Sequence, residues 1–297
     1  MSGAPGLPKA VAGDALVFLD YTQATLDAAY DQLHYAPNGL DVVAAYNERS
    51  TEVRKKLPYT THSYGASVDE TLDFFPAAQK SSPLCVFIHG GEWRMGNKEM
   101  YSFLAPTLVD AGISVAVLDF STISSVGMPR MAEQVAGAVE WIFQNSRSLG
   151  ADPRRIFLAG HSSGAHLAAV TATRDWKGRR LPQGVIKGTV CLGGMFDLYP
   201  VLLSYRRGYI ALTAKERDAL SPSLHLDSLS GPLIVAYGSE ETPEFQRQSV
   251  AFAAALRDRA RRMHKVQGAN HFEVLLELAD ASTPLAKSAI ELMLNQR

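Results

Sequence analysis

At 297 residues the chain is long enough for about two domains of ordinary size, or for one large α/β sheet covered on both faces. With 46% hydrophobic and 20% charged residues it can bury a sizeable core, and it lacks the low hydrophobicity of a disordered chain. Twenty-nine basic against thirty acidic side chains leave a formal charge of −1, which gives no general attraction to nucleic acid or to an anionic membrane.

No apolar run approaches the roughly 20 residues that span a bilayer. The N-terminal stretch MSGAPGLPKAVAGDALVFLD is broken by Asp14 and lacks the order of a secretory signal, so a cytoplasmic protein is expected. The Gly/Pro-rich first eight residues are expected to fray, and the next segment, residues 16–60, reads as a helical extension.

From about residue 81 short apolar strands alternate with helical segments. LCVFIH (84–89) is followed by a helix over 99–111, ISVAVLD (113–119) by a helix bearing Met131, Val135, Val139 and Ile142 on one face, and IFLAG (156–160) by a helix from Ser162. VIKGTVCL (185–192) and PLIVAYG (232–238) continue the alternation, and RRMHKVQ (261–267) reads as a last strand. Continuous apolar strands separated by helices predict one mostly parallel α/β sheet with helices on both faces, in a single domain over 1–297. Residues 195–229 interrupt the pattern with aromatics and a short charged helix (213–219), and are expected to form a cap over a site. Cys85 and Cys191 fall inside strands and read as buried thiols.

The chemistry concentrates at Gly160-His161-Ser162-Ser163-Gly164, a G-x-S-x-G sequence between a strand and a helix. In that context the serine stands on a sharp turn as a nucleophile, and the glycines admit close backbone neighbours. The strand at 84–89 runs into His89-Gly90-Gly91-Glu92-Trp93. Its glycines can aim backbone N–H groups at an oxyanion, with Gly91 first, Gly90 or Glu92 beside it, and Ser163 donating from the elbow. Only His264 and His271 follow the strand 232–238. His264 lies within a strand, so the loop residue His271 is the expected base. The loop after PLIVAYG offers Glu240, Glu241 and Glu244. Glu244 opens a helix after Pro243, which accounts for it, and leaves Glu240 and Glu241 open as the acid. Trp93, Phe120, Phe196 and Tyr205 are candidate pocket walls, with Glu92 beside the oxyanion loop. His166 reads as packed, and Arg257, Arg259, Arg261 and Arg262 as a solvated helix end.

HGGEW (89–93), SFLAP (102–106), GHSSGAHLA (160–168) and TPEFQRQS (242–249) resemble the arylformamidase (kynurenine formamidase) branch of the α/β-hydrolases, near the hormone-sensitive-lipase-like esterases. The resemblance runs from about Asp20 to the C-terminus. It implies an α/β-hydrolase fold and a serine hydrolase cleaving a small aryl amide or formamide with a Ser162, His271, Glu241 triad and no metal or cofactor. It places the acid three residues after the strand-ending glycine, at Glu241. Two departures stand out: the family usually has an aromatic at Glu92 and Asp at Glu241. The Glu92 charge disfavours a substrate carboxylate unless a cation intervenes. A short-chain carboxylesterase, a lactone or cyclic-amide hydrolase, and a ligand-binding module on a hydrolase fold are the competing readings. The expected partner is a small-molecule substrate, with a homodimer allowed and neither nucleic acid nor membrane expected.

Overall fold

The computed structural model describes residues 15–257 and 260–296. The first eight residues and the Asp258 and Arg259 of the basic cluster therefore lie outside the described residues. A hairpin of β1 (Leu16–Phe18) and β2 (Tyr21–Thr22) opens the described chain, followed by α1 (Gln23–Ala29), α2 (Gln32–Tyr35) and α3 (Gly39–Lys56). The extension is thus not helical throughout: its start is extended, and Leu19 turns the hairpin at a φ of 47°.

The sheet strands are β3 (Thr60–Ser63), β4 (Thr71–Phe75), β5 (Ser82–Ile88), β6 (Ser114–Leu118), β7 (Ala151–His161), β8 (Ile186–Leu192), β9 (Leu233–Gly238) and β10 (Ala260–Val266), in the order β10-β9-β8-β7-β5-β6-β4-β3. Strands β5 to β10 pair in parallel, and β4 pairs antiparallel with both β6 and β3. This is the mostly parallel α/β-hydrolase sheet. Alternation along the strands serves two faces: Leu84, Val86 and Ile88 enter one apolar cluster, while Cys85 and Phe87 enter the other.

Helices α5 (Ile123–Asn145) and α6 (Ser163–Ala172) cover the first face; α3, α4 (Ala105–Asp110) and α11 (Pro284–Asn295) cover the second. The helix expected over 99–111 divides into a 3-10 turn over Lys98–Leu104 and then α4, because Pro106, at the start of α4, has no N–H to continue a ladder from the turn before it. Residues 195–229 carry α7 (Leu198–Leu203) and α8 (Ala214–Ala219) between short 3-10 turns. Helix α9 (Pro243–Leu256) leads to β10, and α10 (Glu273–Leu276) follows it. Both cysteines are buried free thiols, and burial pushes the Cys85 thiol up to about 12. Among the described residues no helix is long and apolar enough to cross a membrane.

Five segments leave the carboxyl ends of adjacent parallel strands: the glycine loop after β5, Ser162 after β7, Gly193 after β8, Glu241 after β9 and His271 after β10. That edge is where ligands bind in open α/β sheets.

Two glycines make the β7-to-α6 turn possible. A Cβ on Gly160 would stand 2.4 Å from the Gly164 carbonyl oxygen, and one on Gly164 would stand 2.1 Å from that of Ile88. Gly137, on α5, has nothing within 4 Å of the same position. Gly164→Ala is therefore expected to cost about 3 kcal/mol through backbone collision. Gly137→Ala is expected to gain about 0.5–1 kcal/mol through helix propensity. Urea midpoints of the two variants check both signs.

Candidate active site

Ser162 stands at φ 56° and ψ −124°, immediately before α6. A left-handed φ on a residue with a Cβ is a strained state, worth roughly 1–3 kcal/mol, and it persists because strand and helix are both pinned. The Ser162 N–H donates to the Leu192 carbonyl at 2.8 Å, tying the elbow to β8. Ser162 is buried, as are His271 and Glu241.

The loops that carry His271 and Glu241 are held against each other by backbone. Glu240 N–H donates to the Ala269 carbonyl at 3.0 Å and Ser239 N–H to that of Val266 at 2.9 Å. A Cβ on Gly238 would stand 2.1 Å from the Ala269 oxygen. This zipper brings Glu241 Oε1 to 3.4 Å from His271 Nδ1, a contact longer than an ordinary hydrogen bond. Glu240 is exposed, and Glu244 is committed elsewhere, gripping Arg247 through both carboxylate oxygens and accepting from Tyr30 OH. The structure thus puts Glu241, and neither neighbour, against the imidazole.

Both members of the pair are driven toward neutrality. Burial pushes the Glu241 carboxyl up to about 7, with the nearby His161 and the Gly238 N–H pulling the other way. Burial pulls the His271 imidazole down to about 3; the Arg206 guanidinium adds to this and Glu92 opposes it.

The N-terminal extension braces these loops. Thr242 Oγ1 donates to the Ala29 carbonyl at 2.6 Å, Asn270 Nδ2 to Asn38 Oδ1 at 2.7 Å, and Tyr46 OH to the Phe272 carbonyl. Asn270 Oδ1 also accepts from Phe272 N–H and Glu273 N–H at 2.9 and 3.1 Å, so the residue before His271 is held on both sides.

The glycine loop after β5 faces the elbow. Gly91 has a φ of 115°, and Glu92 and Trp93, at 56° and 60°, continue in the left-handed region. Among the described residues, the Gly91 and Ser163 N–H groups donate to no protein acceptor. A Cβ on Gly90 would meet the Ser162 Cβ at 3.1 Å, which sets how near this loop lies. Phe120 stacks on His89 at 4.4 Å, and His89 Nδ1 hydrogen-bonds the Gly90 carbonyl at 2.8 Å, bracing the loop.

Trp93 is not an open wall. Its ring is buried and donates through Nε1 to His166 Nδ1 at 3.2 Å. An indole N–H only donates, so His166 Nδ1 accepts and its Nε2–H donates to the Leu220 carbonyl at 2.8 Å. His166 is therefore a neutral connector between loop, elbow helix and the 195–229 segment, and burial pulls it down to about 4. Phe196 is likewise core, stacked on Phe252 at 4.0 Å. Tyr205 does reach the site, with its OH 3.5 Å from Glu92 Oε1.

Three residues here had no assigned role in the sequence reading. Gly193, at φ 52°, leaves the space the pair occupies: its Cβ would stand 2.6 Å from Glu241 Oε1 and 3.0 Å from His271 Nδ1. His161 Nε2 hydrogen-bonds the His271 carbonyl at 2.8 Å, with the rings 4.7 Å apart. Arg206, from the 195–229 segment, is buried and donates to Glu92 Oε1 at 3.1 Å. Two adjacent glycines after a strand were a legible signal for Gly193. The other two depend on tertiary contacts.

A carboxyl raised from 4.5 to about 7 in the folded state holds its proton more tightly there than in the unfolded chain. Its stabilising share is complete below the unfolded value and is lost as pH rises through about 7. Glu241→Gln removes the cost of a buried carboxylate, so its Tm is expected to exceed the wild type's at pH 8 and to converge with it at pH 5. Differential scanning calorimetry at the two pH values reads the sign.

A BD-FAE family model matches residues 72–185. The kynurenine formamidase of Salmo salar is 30% identical over 241 residues, covering 77% of this chain and 80% of that protein. The kynurenine formamidase of Danio rerio is 30% identical over 286 residues, covering 90% and 95%. A solved structure from Silicibacter sp. TM1040, described provisionally as a thioesterase, superposes with a TM-score of 0.78 at 26% identity, covering 88% of this chain and 97% of that one. The protein is a hydrolase, and the chain belongs to the kynurenine formamidase (arylformamidase) family of α/β-hydrolases.

Proposed function

We propose that the protein hydrolyses a small aryl formamide through a Ser162, His271, Glu241 triad. The observation that carries the reading is the buried His271–Glu241 pair, 3.4 Å apart, on loops that close beside the strained Ser162 turn. Support for the amide comes from the two kynurenine formamidases among its relatives.

Ser162 Oγ adds to the formyl carbon while His271 takes the hydroxyl proton. The carbonyl oxygen becomes an oxyanion held by the N–H groups of Gly91 and Ser163, with Gly90 on the same loop. The C–N bond then breaks as His271 returns the proton to the aryl amine, leaving a formyl ester on Ser162. Water, deprotonated by His271, adds to that ester, and formate leaves as the proton returns to Ser162 Oγ.

Glu241 acts at one moment above all. A buried imidazolium is costly, so the carboxylate beside Nδ1 favours the charged state that forms only in the transition state. No metal or cofactor takes part in this reading.

Labelling with a fluorophosphonate is expected in the wild type and absent in Ser162→Ala; a wild type that resists labelling overturns the serine nucleophile. Comparison of kcat/KM for formanilide, an anilide and p-nitrophenyl acetate separates formamidase from esterase, and an enzyme inert to every formamide loses the substrate half of the proposal.

The pH dependence follows from the pair. His271 stays neutral down to about 3 and so supplies base throughout, whereas Glu241, raised to about 7, is a carboxylate only above that value. For uncharged formanilide, kcat/KM is therefore expected to climb as pH rises through about 7, an apparent value belonging to the pair. Glu241→Gln should lose that limb and lower kcat by about 10⁴-fold. Glu240→Gln should do neither.

A further inference from the structure

The Glu92 carboxylate sits beneath three donors. Arg206 Nη2 is 3.1 Å from Oε1, Tyr205 OH is 3.5 Å from the same oxygen, and Arg94 Nη1 is 3.8 Å from Oε2. Two guanidinium groups against one carboxylate give the cluster a formal charge of +1. The two partners differ in freedom. Arg206 is 2% exposed and is anchored by its bonds to the Tyr30 carbonyl at 2.8 Å and Tyr209 OH at 3.1 Å. Among the described residues its Nε finds no hydrogen-bond partner. The Glu92 side chain is 32% exposed and hangs from the loop beside the oxyanion glycines.

A buried cation must keep a counter-charge, because leaving it unpaired in the low-dielectric interior is strongly destabilising. Here the counter-charge is the free end of a solvent-facing side chain, and three donors converge where a carboxylate lies. That is the form of an anion site filled by the chain's own group. The cluster also lies close enough to the base to matter: after burial, Arg206 and Glu92 are the charges that act on His271.

We propose that Glu92 is an internal stand-in for a substrate carboxylate, which displaces it from Arg206, Tyr205 and Arg94, so that Arg206 selects acyl substrates carrying a carboxylate. The proposal deepens the hydrolase reading and rests on it for the consequence in turnover. The exchange leaves Arg206 paired before and after, so no buried charge is exposed at any stage. It makes Glu92 a competitor for the site, one that weakens anion binding without abolishing it.

The test uses benzoate and its uncharged analogue benzamide as probes. In Glu92→Ala, which keeps the Cβ and so the same backbone strain, benzoate is expected to raise Tm more than in the wild type and to bind at least tenfold tighter by calorimetric titration. Benzamide should bind no tighter. Should alanine fail to fold with Arg206 uncompensated, Glu92→Gln retains a hydrogen-bond acceptor and should move benzoate affinity in the same direction. In turnover, the ratio of kcat/KM for a ring-carboxylated formanilide over formanilide itself should rise about tenfold in the Glu92 variant and fall in Arg206→Lys.

Benzoate affinity equal to or weaker than wild type in both Glu92 variants overturns the proposal. So does loss of benzylamine binding with benzoate unchanged, which would make Glu92 a site for an ammonium. Benzoate titration reads the site without catalysis, so an enzyme that binds benzoate as expected yet resists the fluorophosphonate would sink the hydrolytic mechanism alone.

Discussion

Ser162 can occupy a left-handed backbone conformation because Gly160 lets strand β7 approach helix α6, and Gly164 lets α6 approach the end of β5, within backbone contact. Nearly everything around the site can be traced to that constraint. The turn lifts one hydroxyl above the carboxyl edge of the sheet, and the loops from β5, β8, β9 and β10 are then built to meet it there. Glycine recurs wherever two of these loops close on each other: Gly90 against Ser162, Gly193 against the His271–Glu241 pair, Gly238 against Ala269. The strain is held in place by burial on both sheet faces, since neither β7 nor α6 can shift without opening a packed cluster.

Burial then sets the electrostatics. It keeps His271 neutral and holds Glu241 near the middle of its titration at neutral pH, so the resting pair carries less than one full negative charge on average. The same low dielectric that disfavours charge at rest strengthens the attraction once an imidazolium forms. Arg206 biases the balance further toward neutral imidazole. The N-terminal extension supports the pair: Thr242 and Asn270, which flank Glu241 and His271, are hydrogen-bonded to Ala29 and Asn38 of that extension.

Much of the fold was legible because buried parallel strands are continuous apolar runs, and LCVFIH, ISVAVLD, IFLAG and PLIVAYG each locate a strand. What apolar runs could not carry was the short polar edge: β3 is four largely exposed residues. At the site, G-x-S-x-G and the double glycine are local patterns, set by backbone geometry, and can be read off the chain. The acid was not. Spacing alone left Glu240 and Glu241 equal, and the resemblance chose Glu241; in the fold the distinction comes from a Gly238 turn zipped to residues 266–269. Trp93 and Phe196 read as pocket walls because aromatics near a motif carry no sign of which way they face; both are packed in the core. Arg206 lies in a Tyr-Arg-Arg-Gly stretch that looks like surface charge, and only its contact with Glu92, 114 residues away, marks it.

The covalent step proposed for Ser162 can be tested directly. When the wild type is mixed with p-nitrophenyl acetate, acid-quenched within milliseconds and digested, peptide mass spectrometry should find an acetyl group on Ser162, accumulating to higher occupancy in His271→Ala supplied with imidazole for acylation and then freed of it. Acetyl on any other residue, or turnover of the ester with no covalent adduct on Ser162 in either protein, would contradict the account.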